Sequence, residues 1–399
     1  MKLRLTLLAI AGLAASSAPG AGAPVTACSK SVAVSAGRAV RSARAELAAI
    51  PAEADDGSVT PAASRLIEAL KDRLRDFVRA EMACAPSSPE PVALAAAMAA
   101  EGDGLVHAGS DDSSPVPPGR HGDRLAYEVF RVDSHPEMLA VVATLGIRCG
   151  SDSMLILYRR TPSGWRETMV RRSEPYREVK GGWQDLRFAV SPADGQGRWF
   201  VATVSTTPWC TSAWQGMPYE LARPGPSADR PRIVFRGKNS VYLGNESDLS
   251  LRAGRDSVEI RHDGASLDPD ILVRRHVRRY ALSGDSVRRV QPVAENIRDF
   301  ADEWIDSPWS EARDWSGSDP ALGGHHIALQ SARWKTLGGF ASIRACDGGA
   351  TQVEIEGRAG PGWFLIVRGG AKGPWTLERV ARRAAAGCTG FDSLGREPA

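Results

Sequence analysis

At 399 residues, 43% of them apolar, the chain is long enough to bury a sizeable core and exceeds one ordinary domain. Its 50 basic and 47 acidic residues leave a net charge of +3, with no long basic run, which argues against a nucleic-acid partner. Seven lysines against 43 arginines, in an Ala- and Gly-rich background, reflect compositional bias rather than a binding surface.

Lys2 and Arg4 precede an apolar run over 5–15, and 16–27 is small, uncharged and Pro/Gly-containing. That is the order of a secretory leader, and the run is too short to span a bilayer. Residues 1–27 are therefore expected to be a signal peptide, and the protein to be periplasmic or secreted. No later stretch approaches ~18 apolar residues, so no transmembrane segment is expected.

Six cysteines, Cys28, Cys84, Cys149, Cys210, Cys346 and Cys388, suit an oxidising compartment. Their clustering along the chain favours the pairs Cys28–Cys84, Cys149–Cys210 and Cys346–Cys388. No C-x-x-C and no Cys/His cluster stands at ligand spacing, so neither a metal nor a cofactor is expected. The stretch Val25-Thr26-Ala27-Cys28 resembles the lipobox of bacterial lipoproteins, which implies a lipid anchor at Cys28 in the cell envelope. The motif normally abuts the apolar run, whereas here 16–27 intervenes, and lipidation would leave Cys84 without a partner. Both fates of Cys28 stay open on the sequence.

Region 32–50 carries a helical stripe through Ala36, Val40, Ala43, Leu47 and Ile50. A second helix is expected from Pro61, capped by Thr60, to about Met82, with Ile67, Leu70, Leu74, Phe77 and Val78 on one face. Antiparallel packing of the two would bring Cys28 to Cys84. A shorter helix is expected over 91–100, and 102–122, rich in Gly, Asp, Ser and Pro, reads as a linker.

Short strands separated by turns follow, at 125–132, 139–147, 154–160 and 165–170. Two later sets repeat this order: 186–190, 199–205, 218–221 and 233–235, then 248–251, 257–261, 271–282 and 287–293. A VAT triplet, a loop cysteine and, nine positions after it, a tyrosine occur both at Val142, Cys149 and Tyr158 and at Val201, Cys210 and Tyr219, with the two cysteines and the two tyrosines each 61 residues apart. The same step reaches Tyr280, which suggests internal duplication. Phe300, Trp304 and Ile305 then have helical spacing. Ser307 is placed to cap a short turn from Pro308 bearing Trp309, Ala312 and Trp315, aromatics that plug the β body or dock a partner. A fourth strand set is expected at 340–345, 352–356, 363–367 and 375–380.

The expected fold is mainly β, with repeated four-stranded antiparallel sheets in a small or incomplete propeller-like arrangement, or alternatively a β-sandwich, behind an N-terminal α-helical hairpin. The expected divisions are 1–27 leader, 28–101 helical region, 102–122 linker, 123–293 three β repeats, 294–320 helical insert and 321–399 C-terminal β unit.

No G-x-S-x-G elbow, H-E-x-x-H or P-loop occurs. Asp263 and its neighbours to 270 hold spaced carboxylates without the order of a calcium loop. His262, Asp263 and Ser240 or Ser257 form a triad only on paper, and His325 and His326 are adjacent. The most suggestive stretch is 206–216, where Trp209 and Trp214 flank Cys210 and would offer two indoles on a pinned loop for a glycan or protein. These features lead to the expectation of an exported, non-catalytic binding or envelope-interaction scaffold with an unidentified protein or glycan partner. An envelope hydrolase with loop-borne catalytic residues is the alternative.

Overall fold

The computed structural model describes residues 28–50, 57–106, 120–244, 249–268, 272–333, 335–358, 360–369 and 374–389. The expected leader lies outside them. The helical region comprises α1 (Lys30–Ala48), α2 (Pro61–Cys84) and α3 (Pro91–Gly102). Thr60 Oγ1 accepts from the Ala63 amide at 3.2 Å, satisfying a donor that the first turn of α2 leaves open, and Pro61 occupies the start. The stripe Ile67, Leu70, Leu74, Phe77, Val78 and Met82 is buried. Gly37 admits α3 against α1, because a Cβ there would stand 2.8 Å from the Glu101 carbonyl oxygen.

The first sheet runs in chain order through β1 (Leu105–Val106), β2 (Leu125–Arg131), β3 (Met138–Ile147), β4 (Gly150–Thr161) and β5 (Gly164–Arg172). Only β1 pairs in parallel; the other four strands form an antiparallel meander. The second sheet holds β6 (Gln184–Val190), β7 (Val201–Thr206), β8 (Trp214–Arg223) and β9 (Arg232–Tyr242). The third holds β10 (Ser250–Ala253), β11 (Ser257–Ala265), β12 (Val273–Ser283) and β13 (Ser286–Val290). After α4 (Ile297–Asp306), α5 (Trp309–Ala312) and α6 (Leu322–Ala332), the fourth comprises β14 (Leu337–Ala345), β15 (Ala350–Gly357), β16 (Gly360–Arg368) and β17 (Thr376–Ala381). The fold is thus mainly β, four antiparallel meanders behind a helical region, and among the described residues no sheet closes into a barrel.

The sheets are stacked in layers. One face of the first sheet, with Tyr127, Leu139, Val141, Ile156 and Tyr158, packs on the helices. Its other face, with Ala140, Val142, Leu155 and Leu157, meets Val190, Trp199, Val201 and Ala222 of the second sheet. Covering both faces explains why β3 is buried along nearly its whole length and lacks polar alternation. The opposite face of the second sheet, with Phe200, Val204, Tyr219 and Leu221, lies on Val258, Ile260, Tyr280 and Leu282 of the third. A separate core joins α4, α5 and α6 to the fourth sheet around Phe300, Trp304, Ile305, Phe340, Val353 and Leu365.

Tyr158, Tyr219 and Tyr280 each sit on the third antiparallel strand of their sheets, but their surroundings differ. Tyr158 faces the helices, whereas Tyr219 and Tyr280 face each other across the second interface with their hydroxyls 2.7 Å apart. The sheets therefore do not stack with the same face leading, as successive blades of a uniform propeller would. Tyr219 also lies over Gly237 of β9, where a Cβ would stand 2.3 Å from the ring.

The insert differs from expectation in detail. Asn296 caps α4 by accepting from the Asp299 amide at 2.9 Å, but Ser307 does not cap α5. Its hydroxyl turns inward to Glu303 and Arg289. Trp304 and Trp315 are buried, so they serve the core and offer no docking surface.

Three disulfides form: Cys28–Cys84 within the helical region, Cys149–Cys210 between the first two sheets and Cys346–Cys388 within the C-terminal unit. The second ties the β3–β4 turn to the β7–β8 connection, with a Cα separation of 4.8 Å. Replacing Cys149 and Cys210 together by serine releases a crosslink across 61 residues. The chain-entropy model puts the loss at about 4 kcal/mol, to be read as a lowered denaturant midpoint with the other two bridges intact. An unchanged midpoint would show that the first and second sheets need no staple.

Candidate functional site

Trp209 and Trp214 do not share one loop. Trp209 sits beside the Cys149–Cys210 bridge with 39% of its surface exposed. Trp214 begins β8, pairs with Tyr242 of β9 and packs on that ring at a centroid separation of 5.1 Å. The β8–β9 hairpin is longer than the alternation in the sequence indicated, because polar residues at its outer end still form ladder hydrogen bonds. The exposed feature is therefore one disulfide-pinned indole, with a second indole half-buried on the adjoining hairpin.

Among the described residues a dense buried concentration of charge lies where α4 meets the third sheet. Glu303 has no exposed surface and receives Arg274 at 2.7 Å, Arg289 at 2.6 Å and His276 Nδ1 at 2.9 Å. Beside it Asp302 accepts from the Leu267 amide at 2.7 Å and meets Arg274 at 3.0 Å, while Arg333 pairs with Asp306. His262 stacks on His276 with centroids 5.0 Å apart and an interplanar angle of 21°. Its Nε2 is 3.1 Å from the Asn239 side-chain amide.

Alternation along β11 and β12 explains the gathering. Val258, Ile260 and His262 share a face with Tyr280, Arg278, His276 and Arg274, and Arg289 enters from β13 opposite Tyr280. The Arg274 and His276 end of this face, beyond the part covered by the second sheet, receives the acidic side of α4. Asp263 is on the opposite face with Arg275 at 3.0 Å, so the paper triad of His262, Asp263 and a serine is not assembled. Ser240 instead donates to the Gln215 carbonyl at 3.4 Å.

Burial would raise the Glu303 carboxyl, but Arg289 and Arg274 overcome it and hold the group well below the usual carboxylate range. Burial, reinforced by His276 and Arg278, lowers His262 well below an ordinary imidazole; burial and Arg274 lower His276, against the pull of Glu303. A His, a carboxylate and the Ser307 hydroxyl do meet here, but all three are buried, with Glu303 and Ser307 claimed by Arg289 and the His276 ring held between Glu303 and the Ala265 carbonyl. The arrangement suits cohesion between the third sheet and the insert.

A second buried cluster joins α2 to the first sheet. Lys71 Nζ lies 2.8 Å from Asp152 Oδ2, 2.8 Å from Glu68 Oε1 and 2.7 Å from Ser173 Oγ. A lysine beside a serine recurs in hydrolases of the Ser-Lys type, but Ser173 is 1% exposed and donates to Asp152 at 3.0 Å, leaving no approach for a substrate.

A shallow cleft of about 280 Å³ lies between α6 and the fourth sheet, lined by Ala328, Thr336, Gly360, Trp363 and Arg382. The Arg382 guanidinium covers the Trp363 ring at 3.5 Å. His325 and His326 stand on α6 and diverge: His325 meets the edge of Trp363, and His326 is buried with Nε2 3.0 Å from the carbonyls of Trp304 and Ser307. Among the described residues no group of three or more His, Cys, Asp or Glu side chains could hold a metal ion. Asp268 is buried beside the Phe340 amide, apart from Asp263, and 269–271 lie outside the described residues.

No protein-family model and no curated protein matches the chain.

The imidazoles give a signed pH dependence. Both are lowered in the fold, whereas the unfolded chain protonates them near pH ~6.5, so the stabilisation they contribute is complete above that pH and is lost as pH falls below it. Glu303, depressed in the fold, adds a loss of the same sign below the ordinary carboxylate range. Unfolding free energy is expected to fall on acidification by about 1.4 kcal/mol per pH unit for each proton taken up. His262→Gln should flatten that slope between about pH 6.5 and 5; denaturant titrations giving the same slope for both proteins would contradict the assignment.

Proposed function

We propose that this chain is an exported, disulfide-stapled, non-catalytic scaffold that binds a protein or glycan in the cell envelope or outside the cell. The observation that carries the reading is Trp209, a partly exposed indole beside a disulfide that joins two sheets. A large ring held in place loses little entropy on binding, which suits stacking on a sugar face or insertion into a partner's pocket. Both polar clusters with chemistry-bearing side chains are buried away from solvent, which favours binding over a hydrolase.

Three disulfides suit an oxidising compartment, and no helix among the described residues is long and apolar enough to cross a membrane. Cys28 uses its sulfur in the bond to Cys84. A thioether to lipid would need the same atom, so the bridge supports a free periplasmic or secreted protein over a lipid-anchored one.

The test is titration of the purified protein with envelope glycans and fractionated envelope proteins, comparing wild type with Trp209→Ala. The variant is expected to keep its melting temperature and to lose about 2 kcal/mol of binding, roughly thirtyfold in affinity. Equal affinities would remove Trp209 from the binding surface and, with it, the support for this reading.

A further inference from the structure

The lysine cluster holds more than a salt bridge requires. Lys71 is 1% exposed, Asp152 is wholly buried, and the amine nitrogen is 2.8 Å from a carboxylate oxygen. A third group, Glu68 Oε1, touches the same nitrogen at 2.8 Å from the preceding turn of α2. The two Asp152 oxygens are differentiated: Oδ1 accepts from the Trp183 amide at 3.0 Å, while Oδ2 accepts from Ser173 at 3.0 Å and Tyr176 at 3.1 Å. The Tyr176 ring lies 5.2 Å from the amine and helps keep the site dry.

Amide formation needs these parts: a nucleophilic amine held against a carboxyl group, a donor on the oxygen that becomes the oxyanion, donors on the oxygen that leaves, and a base that carries the proton between them. We propose that Lys71 and Asp152 condense spontaneously to an intramolecular isopeptide bond, with Glu68 as the catalytic proton carrier. The Lys71 ammonium passes one proton to Asp152, giving amine and carboxylic acid. The amine attacks Cγ, a C–N bond forms, and negative charge develops on Oδ1 facing the Trp183 amide. Glu68 takes a proton from the nitrogen and returns it to Oδ2, the C–O bond breaks, and one water leaves. Every atom and proton comes from the three side chains, so no external reactant is consumed.

Burial supplies the drive. Water competes poorly for the site, and the neutral amide replaces two buried charges that are costly to hold apart from water. The product would fasten the helical region to the first sheet covalently, as the Cys149–Cys210 bridge fastens the first sheet to the second.

The deciding experiment is intact-mass measurement of the full chain, expressed with its own leader, purified, reduced and denatured. The wild type is expected to fall short of the mass calculated for its processed sequence by one water, and digestion to yield a branched peptide joining the Lys71 segment of α2 to the Asp152 segment of β4. Glu68→Gln should accumulate chain of full mass. Asp152→Asn should close with loss of ammonia in place of water. Recovery of Lys71 in a linear peptide from folded wild-type protein at full mass would overturn the proposal, as would loss of water located at any other pair. Because the wild type itself gives the answer, a variant that fails to fold does not obscure it.

Discussion

A carboxylate taken out of water costs several kcal/mol unless its attractions and hydrogen bonds replace hydration. Glu303 meets that condition with Arg274, Arg289 and His276, all within 2.9 Å. These partners come from the third sheet, whereas Glu303 belongs to the helix that carries the fourth. Gln291 reinforces the join, accepting from the Trp375 amide and donating to its carbonyl. The fourth sheet thus has its own apolar core, which Leu267 from the β11–β12 connection enters, and the buried polar contact adds to that link with the β stack. Removing one partner leaves the others buried and uncompensated, a defect of about 3–5 kcal/mol.

The chain uses the same device at its other end, where Lys71, Glu68 and Asp152 link α2 to the first sheet. Between these polar joins, sheet contacts are mainly apolar, with an Arg171–Glu220 ion pair crossing the first interface and the Tyr219–Tyr280 hydroxyl pair the second, and the disulfides sit near turns. The arrangement has a physical logic. Apolar faces stack readily but are weakly directional, whereas buried charges accept only the geometry that pairs them. Such clusters can therefore fix which layer meets which, while the Cys149–Cys210 bridge restrains the unfolded chain.

Much of the layered fold was legible in the sequence because its signals are local. Thr60-Pro61 announces a helix start, tight turns separate the meander strands, and cysteines grouped along the chain indicate the loops that close. The facing of the tyrosines was not legible, since a fixed spacing in sequence says nothing about which side of a sheet its neighbour covers. Nor was α6, whose Gly323-Gly324 and His325-His326 conceal a short buried face at Leu322, His326 and Leu329. The partners of Glu303 lie on separate strands, and an arginine-rich stretch such as 274–289 reads as solvated until alternation assigns half of it to a buried face. Trp209 was visible as an aromatic on a cysteine-bearing loop, but its separation from Trp214 depended on how far β8 extends.

Hydrogen exchange on the native protein tests most directly whether the Glu303 cluster unites the two halves. If it does, amides of α4, β12 and β16 should share one opening free energy and lose protection together as pH falls. Rapid exchange through α4 and the fourth sheet, with β12 and the other stacked strands still protected, would show two units merely lying side by side and contradict the account.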